Sequence, residues 1–556
     1  MSTPHTPSPA AARTSAPAPV VPLGSARDSA APAPHVPPGS AQDTPTPAAH
    51  LPSGYAQELH RGVGPFSSFA AGFSFVSILT TVFQLFGLGF GLGGAAFFWA
   101  WPVVFVGQLL VALNFAQLAA SWPISGAIFQ WSSRLAGTTI GWFTGWTMIV
   151  GQILTVAVAA IAVQAVLPAI WAGFQIVGGP DADPSVASPT GAANAVLLGI
   201  LLLVVTTVVN ILSVRLMARV TTAGVLIEIV GVVVLVAVLF LLPQRGPEVV
   251  LTTAGRTGDE PYVFAWLASS LMAAYVMVGF DSAGELAEET HSPRTIVRAL
   301  VVSGLGGALL IVGTLVAAPS VTDGQLATKG IAWVITSVVG DVGGRLLLCA
   351  VAVAVFACTL AVQTSGTRMM YSMARERALP FHRQLAKVSP RTGTPVLTSV
   401  VVGIGAALAL AVNIGQSAIF TALSSLCIAM LYLAYLGVTG PLLVARIRGR
   451  FPQGGVDEDG KPLFTLGRWG ILLNVVAVLF QAGMAVNLIW PRAEIYDLTG
   501  GSWWLQYSAL LFIGATLLVG GGYHAWRHRS HGPLELRDVP TTAAIPVVEA
   551  AGATIR

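Results

Sequence analysis

From Phe69 to Gly94 the chain reads FAAGFSFVSILTTVFQLFGLGFGLGG, without one charged side chain. A soluble domain could not hide so long an uncharged segment, whereas about 20 such residues cross a bilayer as a helix. Similar runs recur to the end of the chain. Charged residues make up 9% of it and apolar residues 54%, where a soluble domain carries about a quarter charged residues. Lipid is therefore the solvent for most of this molecule, and the expected fold class is an all-α polytopic membrane protein.

Twelve spans are expected, at 66–90, 94–121, 138–168, 191–212, 220–242, 262–284, 296–318, 344–372, 394–412, 416–445, 466–490 and 503–525. With the N-terminus in the cytoplasm, the cytoplasmic borders hold nineteen Lys and Arg against five on the other side. This positive-inside bias fits an even number of spans with both termini cytoplasmic. The net charge of +4 follows from that placement and is no argument for nucleic acid. The chain divides into a tail at 1–60, a twelve-span body at 61–526 and a C-terminal tail at 527–556.

The first tail is rich in Pro, Ala and Ser, which predicts disorder. It contains VPLGSARD (21–28), VPPGSAQD (36–43) and LPSGYAQE (51–58), spaced 15 residues apart. These repeats have no apolar face to bury, so they read as a duplicated tail, with docking of a cytosolic regulator as the alternative. Cys349, Cys358 and Cys427 all lie in apolar spans. Their spacing suggests no metal, and no cofactor is expected.

Two segments break the helical pattern. In the first span, Ser77-Ile78-Leu79-Thr80-Thr81 is polar and β-branched, with a glycine-rich stretch after it. In the sixth, AYVMVGFDSAGELAEE places Gly279 and Asp281 at lipid depth, where a buried acid needs a partner, a proton or water. Corresponding interruptions in two five-span halves point to an inverted repeat with discontinuous helices 1 and 6 and a site between them. Glu285, Glu288 and Glu289 follow the second break, with His291, Arg294 and Arg298 close behind. They read as a cytoplasmic gate of salt bridges, or as a solvated helix end. Glu228 stands in TTAGVLIEIVGVVVLVAVLF with no charged residue within eight positions on either side. Intramembrane acids are functional by default, and a carboxyl withdrawn from water favours its proton-carrying form.

Four motifs in order resemble the amino acid–polyamine–organocation superfamily of permeases, with the nearest likeness to the branch carrying amino acids, γ-aminobutyrate and choline. TTVF (80–83) is similar to the family's Gly-Ser-Gly-Ile-Phe break, and WPISGAIFQW (122–131) to its Pro-x-Ser-Gly-Gly-x-Tyr motif. GFDSAGELAEETHSPRT (279–295) resembles its Gly-Phe-Glu…Glu-Glu…Asn-Pro-Arg segment, and TRMMYSMARERALP (367–380) the Ser-Arg…Ala-Arg-Asp-Gly-x-Leu-Pro close of span 8. The likeness runs from about Phe66 to Arg450. Thr81 replaces the break glycine, Gln117 an acid, Ala127 and Phe129 a Gly and a Tyr, and Arg377 a Gly.

The resemblance implies a leucine-transporter-like 5+5 inverted repeat with helices 11 and 12 added. It implies that Glu228 faces spans 1 and 8, where relatives hold a sodium ion or a titratable group; otherwise it would bond a span 8 hydroxyl such as Thr359 or Thr364. It implies an aromatic lid at Tyr275 and a cavity-lining amide at Gln152, with Ser424, Ser425 and Tyr432 as further polar positions. Backbone N–H groups from Ser77, Ile78, Leu79, Thr80 and Thr81 would meet a substrate carboxylate, and Gly279, Phe280 and Asp281 would face its ammonium. The expected function is import of a small zwitterionic amino compound, an amino acid or γ-aminobutyrate, with a proton, across the cell membrane. Exchange without ion coupling and nutrient sensing are the alternatives. No P-loop is present to suggest ATP drive.

Overall fold

A computed structural model describes residues 65–536, apart from 259, 286–293, 413, 415–418, 452–453, 456–461 and 498–500. The N-terminal repeats, Glu288, Glu289, His291 and residues 537–556 lie outside the described residues.

The first span is split. Pro65–Val76 (α1) ends at Ser77, whose φ of 29° no helix admits, and Ile78–Gly93 (α2) begins at once. Ala100–Ser121 (α3), Ala127–Ala136 (α4), Thr138–Ile170 (α5), Pro189–Leu212 (α6) and Val214–Leu241 (α7) complete the first half. Tyr262–Val276 (α8) stops before Gly279, and the chain re-enters a helical turn at Ser282–Glu285 (α9). Then follow Arg294–Ala317 (α10), Gln325–Val339 (α11), Asp341–Arg375 (α12), His382–Leu385 (α13), Val396–Ala411 (α14) and Ile419–Ile447 (α15). Gly470–Ile489 (α16), Ala493–Tyr496 (α17), Trp503–Gln506 (α18) and Ser508–His531 (α19) close the described chain.

Among the described residues, ten helical stretches are long and apolar enough to cross a membrane, the α1–α2 pair counting as one. Of the twelve expected spans, two fall short of that length. The sixth is cut by its break after Val276, and the ninth, α14, has 16 residues. The α11 helix was not expected. Lys329 and Gly330 interrupt its apolar run, and Gly330 (φ 62°) kinks it. Large apolar side chains stay exposed along the outer helices, among them Val204, Val230, Val233 and Leu408, as lipid requires.

The packing follows the repeat. Within the first half α1 packs on α7, and across the halves it packs on α10; α8 likewise packs on α15 and on α3. The α5 helix meets α6, α14 and α15, and its counterpart α12 meets α14, α6 and α7. Each pairing maps onto another when the halves are exchanged. The short α4, packed on α5 and α9, has its counterpart in α11, packed on α12 and α2.

Candidate functional site

The two breaks touch. Gly279 has φ 91°, and a Cβ there would lie 1.7 Å from Cδ1 of Phe75, two residues before Ser77. Ser282 Oγ donates to the Gly279 carbonyl at 2.7 Å and reaches the Ala71 carbonyl of α1 at 3.5 Å. A glycine and a small helical turn thus let α8–α9 seat directly against α1.

At the first break the polar groups are consumed locally. The Ser77 N–H donates to the Phe73 carbonyl (2.8 Å) and the Thr81 N–H to the Ser77 carbonyl (3.1 Å). Ser77 Oγ accepts from the Thr80 N–H at 3.4 Å, capping α2. Thr81 Oγ1 lies 2.7 Å from the Ser77 carbonyl and 3.2 Å from that of Val76, so this β-branched hydroxyl reaches the carbonyl whose helical donor, the Thr80 N–H, turns to Ser77 Oγ instead.

Glu228 joins them. Its Oε1 accepts from the Leu79 N–H at 3.1 Å and lies 2.8 Å from Ser77 Oγ, and the Ile78 amide faces the same carboxyl. Thr359 and Thr364, the hydroxyls considered for it, bond elsewhere. Thr359 donates to the Val355 carbonyl, and Thr364 to Asn210 and the Leu360 carbonyl. In this conformation the chain's own hydrogen bonds, that to Glu228 foremost, fill the amide nest expected from Ser77 to Thr81.

The second break is held from α15. The Tyr435 hydroxyl accepts from the Gly279 N–H at 2.9 Å and donates to Asp281 Oδ1. Phe280 packs against Tyr435 (ring centroids 5.4 Å) and Phe115 (5.8 Å), and Phe115 against Tyr435 (5.2 Å). Gln152 Nε2 donates to Ser365 Oγ at 2.9 Å, tying α5 to α12. Tyr275 is buried on α8. Three acceptor atoms in these residues, Glu228 Oε2, Asp281 Oδ2 and Gln152 Oε1, are buried and have no hydrogen-bond donor among the described residues.

Replacing Tyr435 by Phe would leave the Gly279 N–H and Asp281 Oδ1 buried and unpaired, at about 1–3 kcal/mol. The expected result is a lower thermal unfolding temperature in detergent and slower transport, with the aromatic packing kept. A wild-type unfolding temperature and rate would show that the bridge contributes nothing.

Three of the sequence motifs converge. A Cβ on Gly126 (φ 79°) would meet Ser372 Oγ at 2.1 Å, and Ser372 Oγ donates to the Ser125 carbonyl at 2.9 Å. Ser125 Oγ donates to the Glu285 carbonyl at 3.0 Å. Thus the span 2, span 6 and span 8 motifs meet at one closure. Glu285, expected in a salt-bridge network or at a solvated helix end, is 0% exposed. Its carboxyl faces the amides of Gly126 and Ile128 at the N-terminus of α4 without closing a hydrogen bond to a described residue. Arg294 is exposed at the start of α10, and no ion pair among the described residues joins it to Glu285. The reason is steric: a Cβ on Gly284 would lie 3.1 Å from the Trp131 ring and 3.3 Å from Ala127 Cβ, so the glycine lets the α9 turn sink against α4.

Sequence reasoning missed Tyr435, Phe115 and Ser365. It also missed Arg446, whose guanidinium donates to Asn114 Oδ1, Gln117 Oε1 and the Gly470 carbonyl. Gln117, noted as a departure from an acid, is thereby a neutral partner for a buried arginine. The signal for Tyr435 was available, because a buried Asp281 demands a donor and span 10 carries two tyrosines on one apolar helix.

An all-helical bundle with two abutting half-helix breaks at its centre defines the architecture of a membrane carrier. The profile of the amino acid permease family matches residues 63–515, and the chain belongs to that family, within the amino acid–polyamine–organocation superfamily. It is 27% identical over 518 residues to amino-acid permease BAT1 of Arabidopsis thaliana, covering 86% of this chain and 94% of that one. The rice homolog of BAT1, from Oryza sativa subsp. japonica, is 28% identical over 511 residues, covering 86% and 93%. Amino-acid permease 2 of Neurospora crassa is 24% identical over 445 residues, covering 76% and 78%. These relatives are named as transporters and not as enzymes.

Proposed function

We propose that this permease is a secondary active transporter that imports a small zwitterionic amino compound together with a proton, across the plasma membrane, with both termini cytoplasmic. The observation that carries the reading is the donor deficit at the breaks. Glu228 Oε2 and Asp281 Oδ2 are buried acceptors that lack donors among the described residues, and such groups are costly unless a donor arrives. A proton on Glu228 and an ammonium at Asp281 would supply two. The relatives' names support an amino acid as cargo, and the positive-inside bias supports the orientation.

An uncharged side chain on the substrate fits best. A second carboxylate would find no cation in the middle of a span, and choline would bring no carboxylate. Tyr275, with Gly279 and Phe280, is the proposed lid and floor of the site, and Glu285, Glu288, Glu289 and Arg294 the proposed cytoplasmic gate. Vesicles holding the full chain test the reading. Labelled leucine and γ-aminobutyrate should accumulate uphill under an imposed pH gradient and be displaced by neutral amino acids before arginine, glutamate or choline. Best competition by choline or glutamate would overturn the substrate reading, and no uphill accumulation would overturn the transporter's coupling.

A further inference from the structure

The start of α2 is the positive end of a half-helix, and its free amides are the donors that a substrate carboxylate needs. Of the amides from Ser77 to Thr81, three are bonded to α1 or to Ser77 itself, which leaves those of Ile78 and Leu79. These two already face a carboxylate, the chain's own Glu228, with Ser77 Oγ beside it. Glu228 is 0% exposed, and its second oxygen has no donor among the described residues. One pair of amides thus serves two claimants. Two ionised carboxylates cannot share hydrogen-bonding range in a dry interior.

We infer that Glu228 and the substrate's carboxylate are alternative occupants of the Ile78 and Leu79 amides, and that a proton on Glu228 vacates them. This rests on the reading of an amino-acid carrier. A proton from one side binds Glu228 at Oε2, and the neutral acid holds the amides far less strongly than the anion did. The zwitterion's carboxylate then accepts the two N–H bonds. Net charge at the nest stays at minus one, and one proton travels with each substrate. On release the carboxylate leaves, Glu228 returns its proton to the other side and recaptures the amides. Stoichiometric coupling follows from competition for one site, with no signal passed between distant sites.

The surroundings leave the titration to Glu228. The Cys358 thiol of α12 is the titratable group that faces it. The α1, α2, α6, α10 and α11 helices, also packed on α7, present none to this carboxyl among the described residues.

The test uses the full chain in lipid nanodiscs, with leucine, γ-aminobutyrate and 3-methylbutylamine, which is leucine without its carboxylate. On the alkaline side, affinity for the two amino acids should fall about tenfold per pH unit. Their binding should take up about one proton, read with an indicator dye in weak buffer. For 3-methylbutylamine both effects should be absent. Glu228→Gln should remove the pH slope and the proton uptake for the amino acids, and Glu228→Asp, which still titrates, should restore the slope. The Gln arm decides the matter whether or not the amine binds. A persisting slope in Glu228→Gln, or equal proton uptake for amine and amino acid, overturns the inference while leaving proton-driven accumulation intact. Failure of both amino acids to bind or accumulate removes the carrier reading and this inference with it.

Discussion

Gly279→Ala is expected to abolish transport and to cut the yield of folded protein severalfold. The residue sits at φ 91°, where a Cβ is opposed by its own backbone at roughly 1–2 kcal/mol. The added methyl would also lie 1.7 Å from Phe75 Cδ1 and 2.2 Å from its Cε1. Phe75 is 3% exposed and cannot swing aside, and overpacking of that kind costs about 1–3 kcal/mol. Both penalties fall on the point where the two broken helices meet. Size-exclusion profiles of the tagged protein, with uptake in vesicles, check it. Adding Phe75→Ala removes the clash and leaves the backbone strain, so the double variant should recover folding in part. A Gly279→Ala protein that folds and transports normally would mean that the breaks do not need this contact.

Glu228→Gln should keep exchange of substrate across the membrane and lose uphill accumulation driven by a pH gradient, by more than about tenfold, one missing protonation step being the whole drive. The amide keeps the shape of the side chain and an oxygen to accept from the Leu79 N–H, so the break remains capped and the fold is preserved. What disappears is the titration. Counterflow with labelled leucine and accumulation under an imposed gradient, measured on the same vesicles, separate the two. Undiminished accumulation would assign the coupling proton elsewhere.

Much of the scaffold could be read from apolar length, because a bilayer sets a coarse ruler. The first break was legible as the polar cluster Ser77–Thr81, and the second as Gly279 beside Asp281. What was not legible were the partners. Ser77 and Glu228 lie 151 residues apart, and Tyr435 and Asp281 lie 154 apart; no periodicity links such positions. The burial of Glu285 was hidden for a related reason. A carboxylate beside Arg294 and more acids reads as a salt-bridge gate or a solvated end, and the contacts of its turn are with Ser125, 160 residues away, and with Ala127 and Trp131. The α4 and α11 helices escaped notice because each is too short to cross the membrane.

The exchange of packing partners between the halves has one more consequence. A molecule whose two halves could trade roles perfectly would be indifferent to direction, its inward and outward forms being mirror images in energy. The break of the first half is clasped by its fifth helix through a carboxyl, Glu228 on α7; that of the second half is clasped by its fifth helix through a phenol, Tyr435 on α15. On the proposed reading, the titrating carboxyl is the clasp itself in the first half, whereas in the second the clasp is a phenol and the carboxyl, Asp281, sits on the break that it holds. On that reading the gradient sets the direction of the cycle, and the chemical mismatch decides which half carries the proton.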